Sequence, residues 1–202
     1  MSERRGGATP DTVRDVRAAL QEGIALRQEL AATAAEAIAD CAERVGSALF
    51  AGGKLLLCGN GGSAADCQHI AAELTGRYRA KREALAAIAL TTDSSAITAI
   101  ANDSGFEQIF ARQIEALGRA GDVLLAISTS GRSPNVLQAA RVARSRGMLV
   151  VALTGPHAGA LGELADLVLT VPGATPDRIQ ELHITVGHIL CDAIERRCRE
   201  RR

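Results

Sequence analysis

Aromatic residues are nearly absent: three phenylalanines, one tyrosine and no tryptophan among 202 residues. Stacking of bases on ring faces is thereby excluded as a main mode of recognition, and the core must be Ala, Leu, Ile and Val. Net charge is missing too, since 23 lysines and arginines are matched by 23 aspartates and glutamates. No overall field draws the chain to nucleic acid or to an anionic membrane. No apolar run approaches the roughly 18 residues needed to span a bilayer, and the opening MSERRGGATPD lacks the apolar core of a signal peptide. The cysteines, Cys41, Cys58, Cys67, Cys191 and Cys198, form no CxxC pair and no disulfide-like spacing, which fits a reducing, cytoplasmic setting. Basic residues cluster only at Arg4-Arg5 and in the tail ERRCRERR from Glu195 to Arg202, and both read as solvated ends.

What is present is aliphatic. A hydrophobic content of 47% supports one well-cored domain and is marginal for two, so residues 1–202 read as a single domain. Over residues 10 to 50 the apolar positions recur at three or four, first Val13, Val16, Leu20 and Ile24, then a second run from about Ala32 to Phe50 that stops at Gly52-Gly53. This predicts an N-terminal helical hairpin within residues 1–50. From Lys54 the rhythm changes to short apolar runs, KLLLC, LAAIAL, DVLLAIS, MLVVALT and DLVLTV, separated by helix-patterned stretches at 63–75, 94–102, 106–118, 134–146 and from about Pro176 to Arg199. Near-continuous apolar strands alternating with helices are the signature of a parallel sheet covered on both faces. The predicted class is α/β, with residues 54–202 forming a three-layer α/β/α sandwich around a five-stranded parallel sheet. In such sheets ligands sit beyond the carboxyl ends of the strands, in the strand-to-helix turns.

The first turn, CGNGGSAADCQHIAAEL, has no GK[ST] and so is no P-loop. Gly59, Gly61 and Ala64 satisfy G-x-G-x-x-A, but the acidic residue expected about 20 positions on is absent, Asp93 lying 32 residues after Gly61. A sugar-phosphate turn is the better reading, with Asn60 and the glycine amides approaching hydroxyls and Ser63 capping the helix; a merely tight turn is the plain alternative. The third turn, ISTSGRSPN, carries Ser128, Thr129, Ser130 and Ser133, with Pro134 at the first helical position and Ser133 as N-cap. Hydroxyls beside exposed helix amides make an anion site without a lysine. The second turn ends in Asn102-Asp103, within reach of a sugar hydroxyl but weak evidence alone.

Asp66, His69 and Glu73 are spaced three and four apart and share a helix face, while Gln180, His183 and His188 lie together on the last helix. His69 with Glu73 is half of a zinc site, which a second His-bearing helix would strengthen. His157, after a turn glycine and proline, reads as surface.

GNGGSAADCQHIAAEL, AIANDSGF, AISTSGRSPNVL and DRIQELHITVGH, four motifs in order over most of the chain from about residue 30, resemble the sedoheptulose 7-phosphate isomerases of the sugar-isomerase (SIS) domain class. The resemblance implies the SIS fold and interconversion of sedoheptulose 7-phosphate and D-glycero-D-manno-heptose 7-phosphate, the entry to heptose nucleotide biosynthesis. It also implies a cytoplasmic homotetramer with sites at subunit interfaces and one zinc per subunit. The family's metal ligands fall on His69, Glu73, Gln180 and His188. Its substrate contacts fall on Asn60, Gly61, Gly62, Glu73, Asn102, Asp103, Ser128, Thr129, Ser130, Ser133 and Gln180. Isomerisation through an enediolate makes Glu73 the candidate base and His188 the candidate acid. Gln180 and His188 stand about 12 Å apart along an ideal helix, a gap that long side chains or a distorted helix start must close. SIS proteins that bind the replication initiator DnaA, and non-catalytic phosphosugar sensors, are the alternatives. The presence of both Glu73 and His188 argues against the DnaA-binding group.

Overall fold

The computed structural model of the chain describes residues 8–200; Arg4, Arg5, Arg201 and Arg202 lie outside the described residues. In chain order the elements are α1 (Pro10–Phe50), β1 (Leu55–Gly59), α2 (Gly62–Thr75), β2 (Ala87–Ala89), α3 (Ser94–Ser104), a 3-10 turn (Phe106–Gln108), α4 (Ala111–Leu117), β3 (Val123–Ser128), α5 (Pro134–Ser145), β4 (Leu149–Thr154), α6 (Gly159–Leu164), β5 (Leu167–Thr170) and α7 (Pro176–Glu200). The strands form one parallel sheet in the order β2-β1-β3-β4-β5.

Because side chains alternate along a strand, each central strand feeds two separate cores. Leu55, Leu57, Val123, Leu125, Val151 and Leu153 point toward α1, α2 and α7. Leu56, Cys58, Leu124, Ala126, Val150 and Ala152 point toward the layer of α4, α5 and α6. Phe110 is the one aromatic side chain among the largest fully buried residues, so the packing is aliphatic as the composition requires.

The N-terminal hairpin is corrected to a single helix. α1 runs 41 residues without a break, opened by Pro10 in its first turn and by the Thr9 hydroxyl accepting the Thr12 N–H. The stretch IALRQELAA, where a turn was needed, contains no breaker and is made of strong helix formers. The two apolar runs therefore serve two halves of one rod. Leu30, Ala34, Ile38, Ala42, Val45 and Leu49 are buried, whereas Val13, Val16, Leu20 and Ile24 are 46% to 66% exposed. The helix expected at 106–118 divides into the 3-10 turn and α4, and the six-residue α6 was not anticipated.

The tail reading is corrected at Glu195. α7 packs along α1 and α2, and Glu195 is 1% exposed inside that contact rather than solvated.

Since β2 and β3 flank β1 on opposite sides, the sheet reverses its winding between β1 and β3, the place where such sheets open a crevice. The turns leaving β1 and β3 therefore stand side by side.

Candidate active site

α2 and α7 run in the same direction and nearly touch. A Cβ at Gly187 would stand 2.6 Å from the Ile70 side chain, so the missing side chain is what lets the helices close at this level. The adjacent residue is His188. Its Nε2 lies 3.1 Å from Nε2 of His69, which lies 3.3 Å from Oε1 of Glu73. Donor atoms of the three residues all fall within 4.8 Å of one another. Tetrahedral ligands held by zinc at about 2.0–2.1 Å would stand about 3.3 Å apart, close to the two measured spacings. The donor set of two imidazoles and one carboxylate is that of an open, catalytic type of site.

Asp66, one turn ahead of His69, has a carboxylate oxygen that is buried without a hydrogen-bond partner. Burial pushes its pKa up to about 6, against the lowering influence of His69.

Gln180 sits elsewhere. Its amide lies over Gly62, where a Cβ would come within 2.4 Å of Oε1. That contact is at the start of α2, seven residues or about 10 Å of helix before His69. Within one chain Gln180 therefore packs against the glycine turn. His183 is fully buried, and burial, opposed in part by a hydrogen bond with the Thr154 backbone, pushes its pKa down to about 4.

The turn leaving β3 carries the hydroxyls. Ser128 is buried and its Oγ lies 3.0 Å from Oγ of Ser133, while Thr129 is half-buried and Ser130 exposed. Ser133 is the N-cap of α5 by backbone position, but its side chain makes no capping bond because it is turned to Ser128. Ser130 Oγ accepts the Arg132 N–H at 3.3 Å.

Two other expectations need adjustment. Ser63 is not the cap of α2; Gly61 holds that position and Ser63 is buried inside the first turn. Asn60 does not stand free. Its amide exchanges hydrogen bonds of 2.9 and 2.8 Å with the amide of Asn135, which ties the β1 turn to the β3 turn. Asn102 and Asp103 are exposed on the last turn of α3 and bonded to each other at 2.8 Å. His157 is exposed, as a surface residue should be.

Three participants escaped the reading of the sequence. Asn135 is 1% exposed and buckles the two turns together, though asparagine after Pro134 looks like ordinary helix-start chemistry. Tyr78, the lone tyrosine, stacks on His188 with ring centroids 5.5 Å apart. Arg82 is buried beside Glu195. The last two come from an unpatterned loop, where the only signal was the rarity of tyrosine.

The chain is similar in sequence and fold to known proteins. The SIS domain family profile matches residues 20–155. A phosphoheptose isomerase of Roseiflexus sp. (strain RS-1) is 53% identical over 177 residues, covering 88% of this chain and 90% of that protein. One from Helicobacter pylori (strain P12) is 58% identical over 144 residues, 71% of this chain and 75% of its own. Among solved structures, a phosphoheptose isomerase from Neisseria gonorrhoeae superposes with a TM-score of 0.85 at 48% identity, covering 90% of this chain and 97% of that one. One from Francisella tularensis gives 0.88 at 41%, covering 91% and 98%.

Proposed function

Because the chain belongs to the SIS-domain family, among the phosphoheptose isomerases, we propose that it interconverts sedoheptulose 7-phosphate and D-glycero-D-manno-heptose 7-phosphate. The observation that carries the reading is the convergence of His69, Glu73 and His188 on one seam, in a chain more than 50% identical to phosphoheptose isomerases.

Aldose–ketose isomerisation removes a proton from carbon 1 of the ketose, passes through an enediolate, and returns a proton to carbon 2. It needs a base near those carbons, a stabilised oxyanion and a hold on the distal phosphate. Glu73, three-quarters enclosed against the two imidazoles, is the base. His188 moves the proton between the two oxygens, because imidazole can give from one nitrogen what it takes at the other. Ser128, Thr129, Ser130 and Ser133 with the first N–H groups of α5 hold the phosphate. Asn60, Gly61, Gly62 and Gln180 face the chain of hydroxyls, and Asn102 with Asp103 closes on them from α3. His69, Glu73 and His188 would hold a zinc ion, one per subunit, which would supply Lewis-acid polarisation of the substrate oxygens. A carboxylate oxygen engaged by a metal cannot accept a proton through the same lone pair, and Asp66, one turn from His69 and two turns from Glu73, offers a second carboxyl on the same helix face. Placement of Gln180 beside the glycine turn favours a substrate contact over a metal ligand.

The working form is a homotetramer. In support, Val13, Val16, Leu20 and Ile24 line the exposed half of α1, and an apolar groove of about 340 Å³ between α1 and α7 is lined by Leu30, Ile38 and Ile189. No helix among the described residues is long and apolar enough to cross a membrane. Four of the five free cysteines are buried, in keeping with a cytoplasmic enzyme feeding heptose nucleotide synthesis.

The test is incubation of the purified protein with sedoheptulose 7-phosphate in heavy water. An aldose phosphate labelled with deuterium at carbon 2 is expected, since a proton held by a protein base exchanges with solvent. Aldose without label would indicate a hydride shift, and no aldose over hours, with or without added zinc, would remove the assignment.

A further inference from the structure

Between α2 and β2 the chain crosses the outside of the seam as an irregular loop, residues 76–86. Loops of this kind usually satisfy their amides with water, but this one is gathered by a single carboxylate. Glu195, 1% exposed, accepts the N–H groups of Tyr78 at 3.1 Å, Arg79 at 3.0 Å and Ala80 at 2.6 Å. Arg82, whose side chain is only 2% exposed, stands 3.4 Å from the same carboxylate. Its other guanidinium nitrogens donate to the carbonyls of Glu73 at 2.7 Å and Leu74 at 2.8 Å, in the last turn of α2. Burial alone would push the Glu195 carboxyl up, yet the hydrogen bonds from Ala80, Arg79 and Tyr78 and the Arg82 charge outweigh it and hold it below the ordinary value.

A buried ion pair of this kind is poor evidence for stability, because desolvation offsets most of the attraction. Its geometric effect is specific. Three consecutive amides fixed on one carboxylate hold in place the backbone of the first of those residues, Tyr78. Its ring lies over His188 at an interplanar angle of 28°, on one side of an imidazole that meets His69 edge-on at 4.8 Å on another. Outside, Arg79 stands 5.0 Å over the Tyr78 ring. Meanwhile Arg82 ties down the carbonyl of Glu73 itself.

We propose that Tyr78 is a positioning residue for His188, and that Glu195 and Arg82 form the clasp that sets it in place while fixing the helix turn that presents Glu73. Residues behind metal-capable side chains matter because they select one ring orientation before a ligand or proton arrives. A free imidazole on a helix rotates about two bonds; His188 between His69 and Tyr78 has little choice. The inference rests on the seam being the reactive centre.

The experiment compares Tyr78→Ala and Tyr78→Phe with the full-length protein, measuring Zn²⁺ affinity by competition with a chromophoric chelator, and kcat and KM separately on sedoheptulose 7-phosphate. Tyr78→Ala should weaken Zn²⁺ binding roughly 10- to 100-fold and lower kcat with little change in KM. Tyr78→Phe should restore both, because the ring face and not the hydroxyl meets His188. Wild-type zinc affinity and kcat in Tyr78→Ala, or equal damage in Tyr78→Phe, would overturn the proposal. Histidine-labelled NMR separates this from failure of the isomerase reading. In Tyr78→Ala the ring signals of His188 should move and those of His157 should not, whether or not the protein proves active on the heptose. Unmoved His188 signals overturn the clasp on their own.

Discussion

In the seam of α2 and α7, three side-chain donors meet within 4.8 Å of one another on two rigid helices; in the turn after β3, the hydroxyls of Thr129 and Ser130 line a pocket together with Arg132. The first arrangement suits bond rearrangement, where a proton must travel a fixed short path. The second suits holding a charge that never changes during the reaction. The teaching is that one ligand can be gripped by backbone geometry at one end and transformed by side chains at the other. Damage to the two ends should accordingly appear in different kinetic constants.

The largest expected effect lies at the seam. Glu73→Gln keeps the shape and removes the basicity, so kcat should fall ~10²- to 10⁴-fold, the usual contribution of a positioned general base. Zinc content by metal analysis should persist, because the amide oxygen can still coordinate. A KM effect without loss of kcat would break the division of labour between the two ends.

Next comes the support of the seam. Glu195→Gln removes the charge facing buried Arg82 and half the acceptors of the clasp, and breaking a buried pair in this way costs about 3 to 5 kcal/mol. Denaturant unfolding should show that loss, whereas a wild-type midpoint would mean that water reaches the clasp.

At the grip end, Ser130→Ala with Ser133→Ala should raise KM for the heptose phosphate and leave kcat near wild type. Each lost hydrogen bond to a charged group is worth roughly 1.5 to 3 kcal/mol of binding. An unchanged KM would move the phosphate to another turn.

The smallest effect concerns His183, between the two ends. Its pKa is lowered from 6.5 to about 4 in the folded chain, so between those values the unfolded chain binds the proton that the folded chain refuses. Stability should be full above about pH 6.5 and decline as pH falls toward 4, by about 1 to 3 kcal/mol. His183→Leu should flatten that part of the profile in thermal melts, and an unaltered slope would assign the acid sensitivity to other groups.

Much of this could be seen in the residues beforehand, for reasons that also explain the omissions. The five strands announced themselves because both faces of a parallel sheet are covered, leaving continuous apolar runs such as VLLAIS. His69 and Glu73 were legible because helix spacing fixes their shared face. Their approach to His188 was legible only through the family resemblance and not from spacing, since it depends on Gly187 admitting Ile70, a contact between residues over a hundred positions apart. The long first helix was misread because two apolar stripes look like two helices when the environment of each is unknown. Glu195 was misread because a charge within a run of arginines looks solvated, and only the returning loop that it binds makes burial tolerable. The same applies to Asn60, whose partner Asn135 is 75 residues away.

The seam also sets a time at which the protein can begin to work. His69 and His188 are separated by 119 positions, and Tyr78 and Glu195 by 117, so a chain emerging from the ribosome displays α2 and its loop long before α7 exists to meet them. During that interval Ile70 and Leu74 lack their cover and the histidine and carboxylate stand apart, unable to exchange protons or share a metal. Domains assembled in this way keep apolar surface uncovered late in synthesis, when chaperones have most to do. The three side chains of the seam consequently come together only once α7 has been made and docks on α2.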